Sequence, residues 1–333
     1  MFGGVRFLPA AVSFLSFLVF TTASFAQTSI DDIHVSPRQR GISESSIAEP
    51  NLPSGIGLIR SNVELVTVPV TITDAMNRPV TGLERDNFQL LENKQPQEIK
   101  NFSSEDTPVS IGIILDVSGS MHDKLERARD AVRQFCDASN PQDEFFLITF
   151  SDDPRLATDF TNRSEEIENA MLVAQPRGRT SLLDAIYMGI RKMKDARYAR
   201  RALLILSDGE HHSRYSERDV KKSVKEADVL IYTVGTYDRY ANTQEELLGP
   251  ELLQEVSAVT GGQSYTLTNV AELPEVTRSI GTRLRHQYML TYSPQKRDRD
   301  GKWHKINVKV LLPKRWSSFL HVSARTGYYA SAQ

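Results

Sequence analysis

Asp116-Val-Ser-Gly-Ser120 closes an apolar run that begins at Val109, and its residue types are suited to a narrow set of chemistries. The carboxylate of Asp116 and the hydroxyls of Ser118 and Ser120 recur at alternate positions, so they converge on the mouth of a strand-to-loop turn. These donors are oxygen only. They suit a hard cation such as Mg²⁺, which takes octahedral oxygen ligands at ~2.1 Å. Two later segments offer the same atoms: Arg179-Thr180-Ser181 at the opening of a helix, and Leu206-Ser207-Asp208-Gly209 at the close of another strand. Each segment alone has an ordinary reading. Asp, Ser and Thr cap helices, and Asp-Gly makes turns. A cap needs one such residue, whereas here the oxygens come from three separated stretches.

Rival chemistries find less support. Ser118 with His211 and Asp208 has the components of a hydrolase relay, but a nucleophile elbow wants Gly two residues before the serine, and Asp116 stands there. A phosphate-cradling Gly-rich loop ending in Lys is absent. His211 and His212 are adjacent, cannot both face one metal from a regular element, and have no further Cys or His paired with them. They are expected at the rim of the site. Glu210 and Asp184 are expected as solvated surface carboxylates. Cys136 is the one cysteine in the chain. It falls on the apolar side of a helix, where a thiol behaves as a small hydrophobe.

The elements that must position these residues alternate strand and helix from Thr107 to about His286. Strands are predicted at Ser110–Leu115, Phe145–Phe150, Arg155–Phe160, Ala202–Leu206, Val229–Val234 and Gln263–Leu267. Helices are marked by Leu125, Ala128, Val132 and Phe135, by Leu182, Leu183, Ile186, Ile190 and Met193, and by Leu273, Val276, Ile280 and Leu284. Another, Glu245–Val259, stops at Gly261-Gly262. Ile111-Gly-Ile-Ile-Leu115 and Leu203-Leu-Ile-Leu206 lack alternation, as expected of strands covered on both faces. This is the pattern of an α/β fold, a doubly wound and mostly parallel sheet, whose ligands sit at the carboxyl ends of strands. Asp116 and Asp208 fall at such ends. The basic group Arg191, Lys192, Lys194, Arg197, Arg200 and Arg201 is expected as the solvated end of a helix, where cations suit the dipole.

On either side lie short β-patterned stretches. Val63–Ile72, Phe88–Glu92 and Gln97–Phe102 precede the α/β region, with turn residues at Asp74–Pro79 and Asn93-Lys94. Gln287–Ser293, Trp303–Leu311, Leu320–Ala324 and Gly327–Tyr329 follow it, with a polar turn at Arg297–Gly301. Neither set holds a core alone. Together they predict one small β-sandwich with the α/β unit inserted, rather than two separate appendages. Residues 1–26 read as a secretory signal: Arg6, an apolar stretch from Phe7 to Phe20 shorter than the ~20 residues of a span, then Ser24-Phe25-Ala26. Residues 27–57 read as a linker without apolar period. The expected order is therefore signal (1–26), linker (27–57), N-terminal half of the sandwich (58–106), α/β unit (107–286) and C-terminal half of the sandwich (287–330).

Forty basic against forty-two acidic residues leave a formal charge of -2. Such a balance supplies no field for nucleic acid, so that class of partner is set aside. An exported chain without disulfides and without a span in its mature region is expected in the periplasm or secreted.

The three oxygen-bearing segments, in this order, resemble the metal-ion-dependent adhesion site of the von Willebrand factor type A family, in a bacterial exported subgroup. The resemblance covers residues 107–286, and more loosely Val68-Pro-Val-Thr-Ile-Thr-Asp74 and Gly327-Tyr-Tyr329. It implies that Ser118, Ser120 and Thr180 touch the metal directly while Asp116 and Asp208 act through waters or hydrogen bonds. A dication (Mg²⁺, or Mn²⁺ or Ca²⁺) held by neutral hydroxyls keeps its appetite for an anionic oxygen. The resemblance therefore implies a non-enzymatic adhesion or scaffold module, with an Asp or Glu of a protein partner completing the coordination. The alternatives are a purely structural ion with recognition through the sandwich, and a metal-dependent hydrolase. The resemblance also implies that the last α/β helix, leading straight into the strand at Gln287, can couple metal ligation to the setting of the two domains.

Overall fold

A computed structural model of the chain describes residues 65–208, 213–237, 244–295, 300–313 and 319–330. The expected signal and linker, Gly209, Glu210, His211 and His212, and Arg297 to Arg299 lie outside the described residues. The central sheet is built from β5 (Ser110–Asp116), β6 (Glu144–Phe150), β7 (Pro154–Thr161), β8 (Arg201–Ser207), β9 (Leu230–Thr236) and β10 (Ser264–Leu267), in the order β10-β9-β8-β5-β6-β7. All neighbours are parallel except the edge strand β7.

The unbroken apolar runs of β5 and β8 are explained by cover on both faces. Ile111, Ile113 and Leu115 pack with α1 (Leu125–Ala138) and α6 (Leu273–Arg285) in one core. Ile114, Leu203 and Ile205 pack with α3 (Leu182–Lys192), α4 (Glu217–Glu226) and α5 (Gln244–Thr260) in the other. Gly112 leaves room for the Phe146 ring, whose Cζ would lie 2.2 Å from an added Cβ. Cys136 packs partly buried against the first core, and burial pushes its thiol up to about 12. α6 is pinned to α1 by Thr277, whose hydroxyl donates to the Ala131 carbonyl at 2.9 Å. The smaller α2 (Ser164–Leu172) buries Ile167 and Met171 in the first core.

The flanks join as one sandwich. β1 (Val66–Thr73) pairs with β11 (Tyr288–Tyr292) and β13 (His321–Ala324), and β11 pairs with β4 (Ile99–Ser103). The second sheet runs β14 (Gly327–Tyr329), β12 (Trp303–Val310), β2 (Phe88–Glu92), β3 (Gln95–Gln97). Strands from before and after the α/β unit thus combine within both sheets, and Val68, Ile72, Leu90, Tyr288 and Leu290 share one core. The single strand expected at Gln97–Phe102 is instead two, because the chain leaves one sheet at Gln97 and enters the other at Ile99. Asn93 and Lys94 both take positive φ (48° and 70°), the conformation of a tight two-residue hairpin turn between β2 and β3.

The two units are tied by buried arginines. Arg283 of α6 donates to Gln263 Oε1 (2.7 Å), to the Tyr265 hydroxyl, and across to the Asn77 carbonyl of the β1 turn (3.0 Å). Arg200 donates to the carbonyls of Thr107 and Leu284 and to Gln287 Oε1 (3.1 Å). The expectation of a solvated basic helix end therefore fails at Arg200 and Arg201, while Arg197 stays exposed. Arg200 is buried at the domain junction and Arg201 opens β8, because the chain turns back into the sheet there. No helix among the described residues is long and apolar enough to cross a membrane.

One polar network sits inside the sandwich. His304 is buried, with Nδ1 2.6 Å from Glu92 Oε1 and Nε2 3.4 Å from Asp300 Oδ1. Burial alone would lower its pKa, but the hydrogen bonds and charges of Glu92 and Asp300 outweigh it and the net shift is upward. The stabilisation is thus fully present below the unfolded value of ~6.5 and is lost as pH rises through the folded value. Thermal melts should show stability falling from pH 6 towards pH 9. His304→Asn should flatten that slope; a variant that keeps the full slope would place its origin elsewhere.

Candidate metal centre

β5 and β8 are neighbours in register, with Leu115 beside Leu206, so Asp116 and Ser207 emerge side by side at the carboxyl end of the sheet. The chain leaves β5 towards β6 on one side and later returns to β8 on the other. This is the switch point where a doubly wound sheet opens a crevice. Asp116 is fully buried. Its Oδ1 accepts from the Ser118 amide at 2.8 Å and its Oδ2 from the Ser207 hydroxyl at 2.7 Å.

Ser118 lies at the start of a 3-10 turn, Gly119–Met121, yet makes no capping bond. Its Oγ faces the Ser120 Oγ at 3.0 Å instead. The third segment is laced on by backbone. The Arg177 amide donates to the Val117 carbonyl (3.0 Å), the Gly119 amide to the Gly178 carbonyl (3.0 Å), and the Ser181 amide to the Ser151 carbonyl (2.8 Å). Gly178 has φ +77°, and an added Cβ would lie 2.4 Å from the Asp152 carboxylate, so only glycine fits this bend. Thr180 and Ser181 are both buried as a result. Ser181, not Thr180, holds the N-cap position of α3, and it makes no side-chain cap bond; among the described residues its hydroxyl has no partner.

Asp208 completes the group. It is buried; its Oδ2 is 3.2 Å from the Lys124 ammonium, and its Oδ1 has no hydrogen-bond partner among the described residues. Lys124 also donates to the Thr236 carbonyl at 3.3 Å. All five expected residues thus lie in three loops joined at one end of the sheet. Burial first, then the nearby Asp208 charge, hold the Asp116 carboxyl above the ordinary carboxylate range, against hydrogen bonds from Ser118 and Ser207 that pull it down.

This donor set fits a hard dication. Two ligands on adjacent corners of an octahedron with ~2.1 Å bonds stand about 3.0 Å apart, the spacing of the two serine hydroxyls. The orphaned Asp208 oxygen and the mutual repulsion of two buried carboxylates are further deficits a dication would relieve. Among the described residues, no cluster of three or more His, Cys, Asp and Glu forms a competing site.

The structure corrects one expectation and adds residues that sequence reasoning missed. Asp184 is not a solvated carboxylate. It is buried in α3 and accepts from the Arg214 and Tyr215 amides (2.9 and 3.1 Å) and from Arg214 Nε (3.2 Å), which anchors the chain at Arg214–Tyr215. Ser207 orients Asp116; its one sequence signal was a hydroxyl ending an otherwise apolar strand. Lys124, far from Asp208 along the chain, carried none.

Because Asp116 has a raised pKa, its ionised form costs stability above that pKa. In chelator at pH 8, Asp116→Asn should therefore be more stable than the parent by about 1–3 kcal/mol, since the amide keeps an acceptor for the Ser118 amide. Urea melts showing equal or lower stability would contradict the strain assigned to the paired carboxylates.

No curated protein matches the chain. Solved structures to which the chain is similar include an aerotolerance-related membrane protein from Bacteroides fragilis, at 19% identity and a TM-score of 0.44. That match covers 53% of this chain and 98% of that one. A von Willebrand factor type A protein from Catenulispora acidiphila matches at 12% identity and a TM-score of 0.47, covering 82% of this chain and 75% of that one. The PilB minor pilin from Streptococcus sanguinis matches at 12% identity and 0.44, covering 58% and 64%. Residues 111–211, from β5 through the segment after β8, match the family model of the von Willebrand factor type A domain.

Proposed function

We propose that this protein is a non-enzymatic, exported binding module whose α/β unit holds a divalent cation, Mg²⁺ or alternatively Mn²⁺ or Ca²⁺, and uses it to capture an acidic side chain of a protein partner. The observation that carries the reading is the pair of serine hydroxyls 3.0 Å apart, backed by two buried carboxylates. Ser118, Ser120 and Thr180 would ligate directly. Asp116 and Asp208 would act behind them, through water or hydrogen bonds. Neutral direct ligands leave the ion's charge largely unquenched, so a carboxylate from outside gains more there than at a site of anionic ligands. The secretory pattern of residues 1–26 supports export.

Lys124 bears on the affinity. Its ammonium neutralises Asp208 in the metal-free state and opposes a dication that arrives beside it. Removing that charge while keeping the stem, as in Lys124→Met, should tighten Mn²⁺ binding by about tenfold or more. Calorimetry with Mn²⁺ tests both points. Binding should be lost in Ser120→Ala and in Thr180→Val, with circular dichroism unchanged, and should tighten in Lys124→Met. Full Mn²⁺ affinity in both hydroxyl variants would remove the metal reading.

The partner step has its own test. Pull-downs from envelope extracts should capture a protein in Mg²⁺, lose it in EDTA, and lose it in Ser118→Ala. Capture that survives both treatments would move recognition away from this site.

A further inference from the structure

At the opposite end of the central sheet, between the α/β unit and the sandwich, lies a cavity of about 140 Å³. Four cationic side chains line it (Arg200, Arg201, Lys225 and Arg325) against one carboxylate, Asp228. That carboxylate is already engaged by Arg325 at 2.7 Å. Arg325 comes from the sandwich, after β13, whereas the others come from the α/β unit.

Among the described residues, the charges of Arg200 and Arg201 lack an anionic partner in direct contact. Arg200 is buried and donates only to neutral oxygens: the carbonyls of Thr107 and Leu284, the Thr107 hydroxyl and the Gln287 side chain. Its Nε is buried without a partner. Arg201 is half-buried and offers more free donors. Its Nε is also buried and unpartnered, and among the described residues its guanidinium makes no hydrogen bond and no ion pair. A guanidinium nitrogen removed from bulk water and left without an acceptor is costly, and the deficit around these two side chains is one of negative charge rather than of apolar contact.

Size narrows the occupant. A water needs ~10–15 Å³ of such space, and drug-sized ligands need several hundred. About 140 Å³ admits one small polyatomic ion or a few waters. Guanidinium forks match the oxygens of tetrahedral anions in two-pronged fashion, and cations here approach from both domains.

We propose that this junction cavity binds a single tetrahedral oxyanion, phosphate or sulfate, held by Arg201 and bridged to the sandwich through Arg325. Binding would fasten the two units together at the end remote from the Asp116 site. The proposal does not depend on the metal reading.

The test uses the full-length protein in EDTA. Inorganic phosphate, sulfate and acetate are each titrated against chloride at equal ionic strength, with calorimetry and thermal melts as readouts. Phosphate or sulfate should give a saturable one-site isotherm and a melting-temperature rise that begins at low concentration, following ligand linkage. Arg201→Gln should weaken that binding by about tenfold or more and remove the early rise, while leaving circular dichroism unchanged. Non-specific stabilisation by excluded anions is not saturable and would persist in the variant. Should Arg201→Gln fail to fold, Lys225→Gln and the wild-type isotherm carry the test. Saturable acetate binding equal to phosphate would replace the tetrahedral class by a carboxylate and overturn the proposal as stated. So would chloride matching phosphate, or an Arg201→Gln protein that binds phosphate like its parent.

Discussion

A carboxylate with no exposed surface, at the tip of the innermost strand and beside a second buried carboxylate, is the constraint around which the α/β unit is arranged. Asp116 can be kept there only because its oxygens are met by the Ser118 amide and the Ser207 hydroxyl. Those two donors come from the strand's own loop and from the neighbouring strand, so the position of Asp116 depends on the parallel register of β5 and β8. The unquenched remainder of its charge, and the bare oxygen of Asp208, leave the loops short of a cation. Lys124 relieves some of that shortage from the start of α1.

Insertion of the α/β unit into a sandwich follows from what neither flank can do alone. β1 finds ladder partners on both edges only in strands from beyond the insertion, β11 and β13, and β2 needs one of them on its inner edge. β11 pairs with β1 and β12 with β2, so each sheet is completed only after the insertion. The last helix runs into β11 and carries Arg283, which reaches β10 and the turn after β1. The two units therefore share strands' ends, a buried arginine and a cavity, and their junction is polar where each core is apolar. That polarity places Arg200 and Arg201 in a setting unlike the solvated helix end their spacing suggested.

Local patterns are legible where one physical rule dominates. Unbroken apolar runs identified β5 and β8 because a strand covered on both faces has no other composition. Helical spacing identified α1, α3 and α6 for the same kind of reason. Where two rules compete, local composition is not decisive. Gln97–Phe102 looked continuous since its residues suit a strand throughout, and nothing local marks the step from one sheet to the other. Asp184 looked solvated because a carboxylate on a helix usually is. Its burial depends on the Arg214 and Tyr215 amides arriving from another loop.

The site divides the same way. Residue types and their order along the chain were enough to nominate Asp116, Ser118, Ser120, Thr180 and Asp208, since hard-cation chemistry restricts the donors to a few oxygens at strand ends. Only the tertiary structure decided that Ser118 turns its hydroxyl to Ser120 rather than capping, that Ser207 steadies Asp116, and that Lys124 lies against Asp208. Those outcomes depend on distances between segments far apart in the chain, set by sheet register and helix packing, and no local composition encodes a distance of that kind.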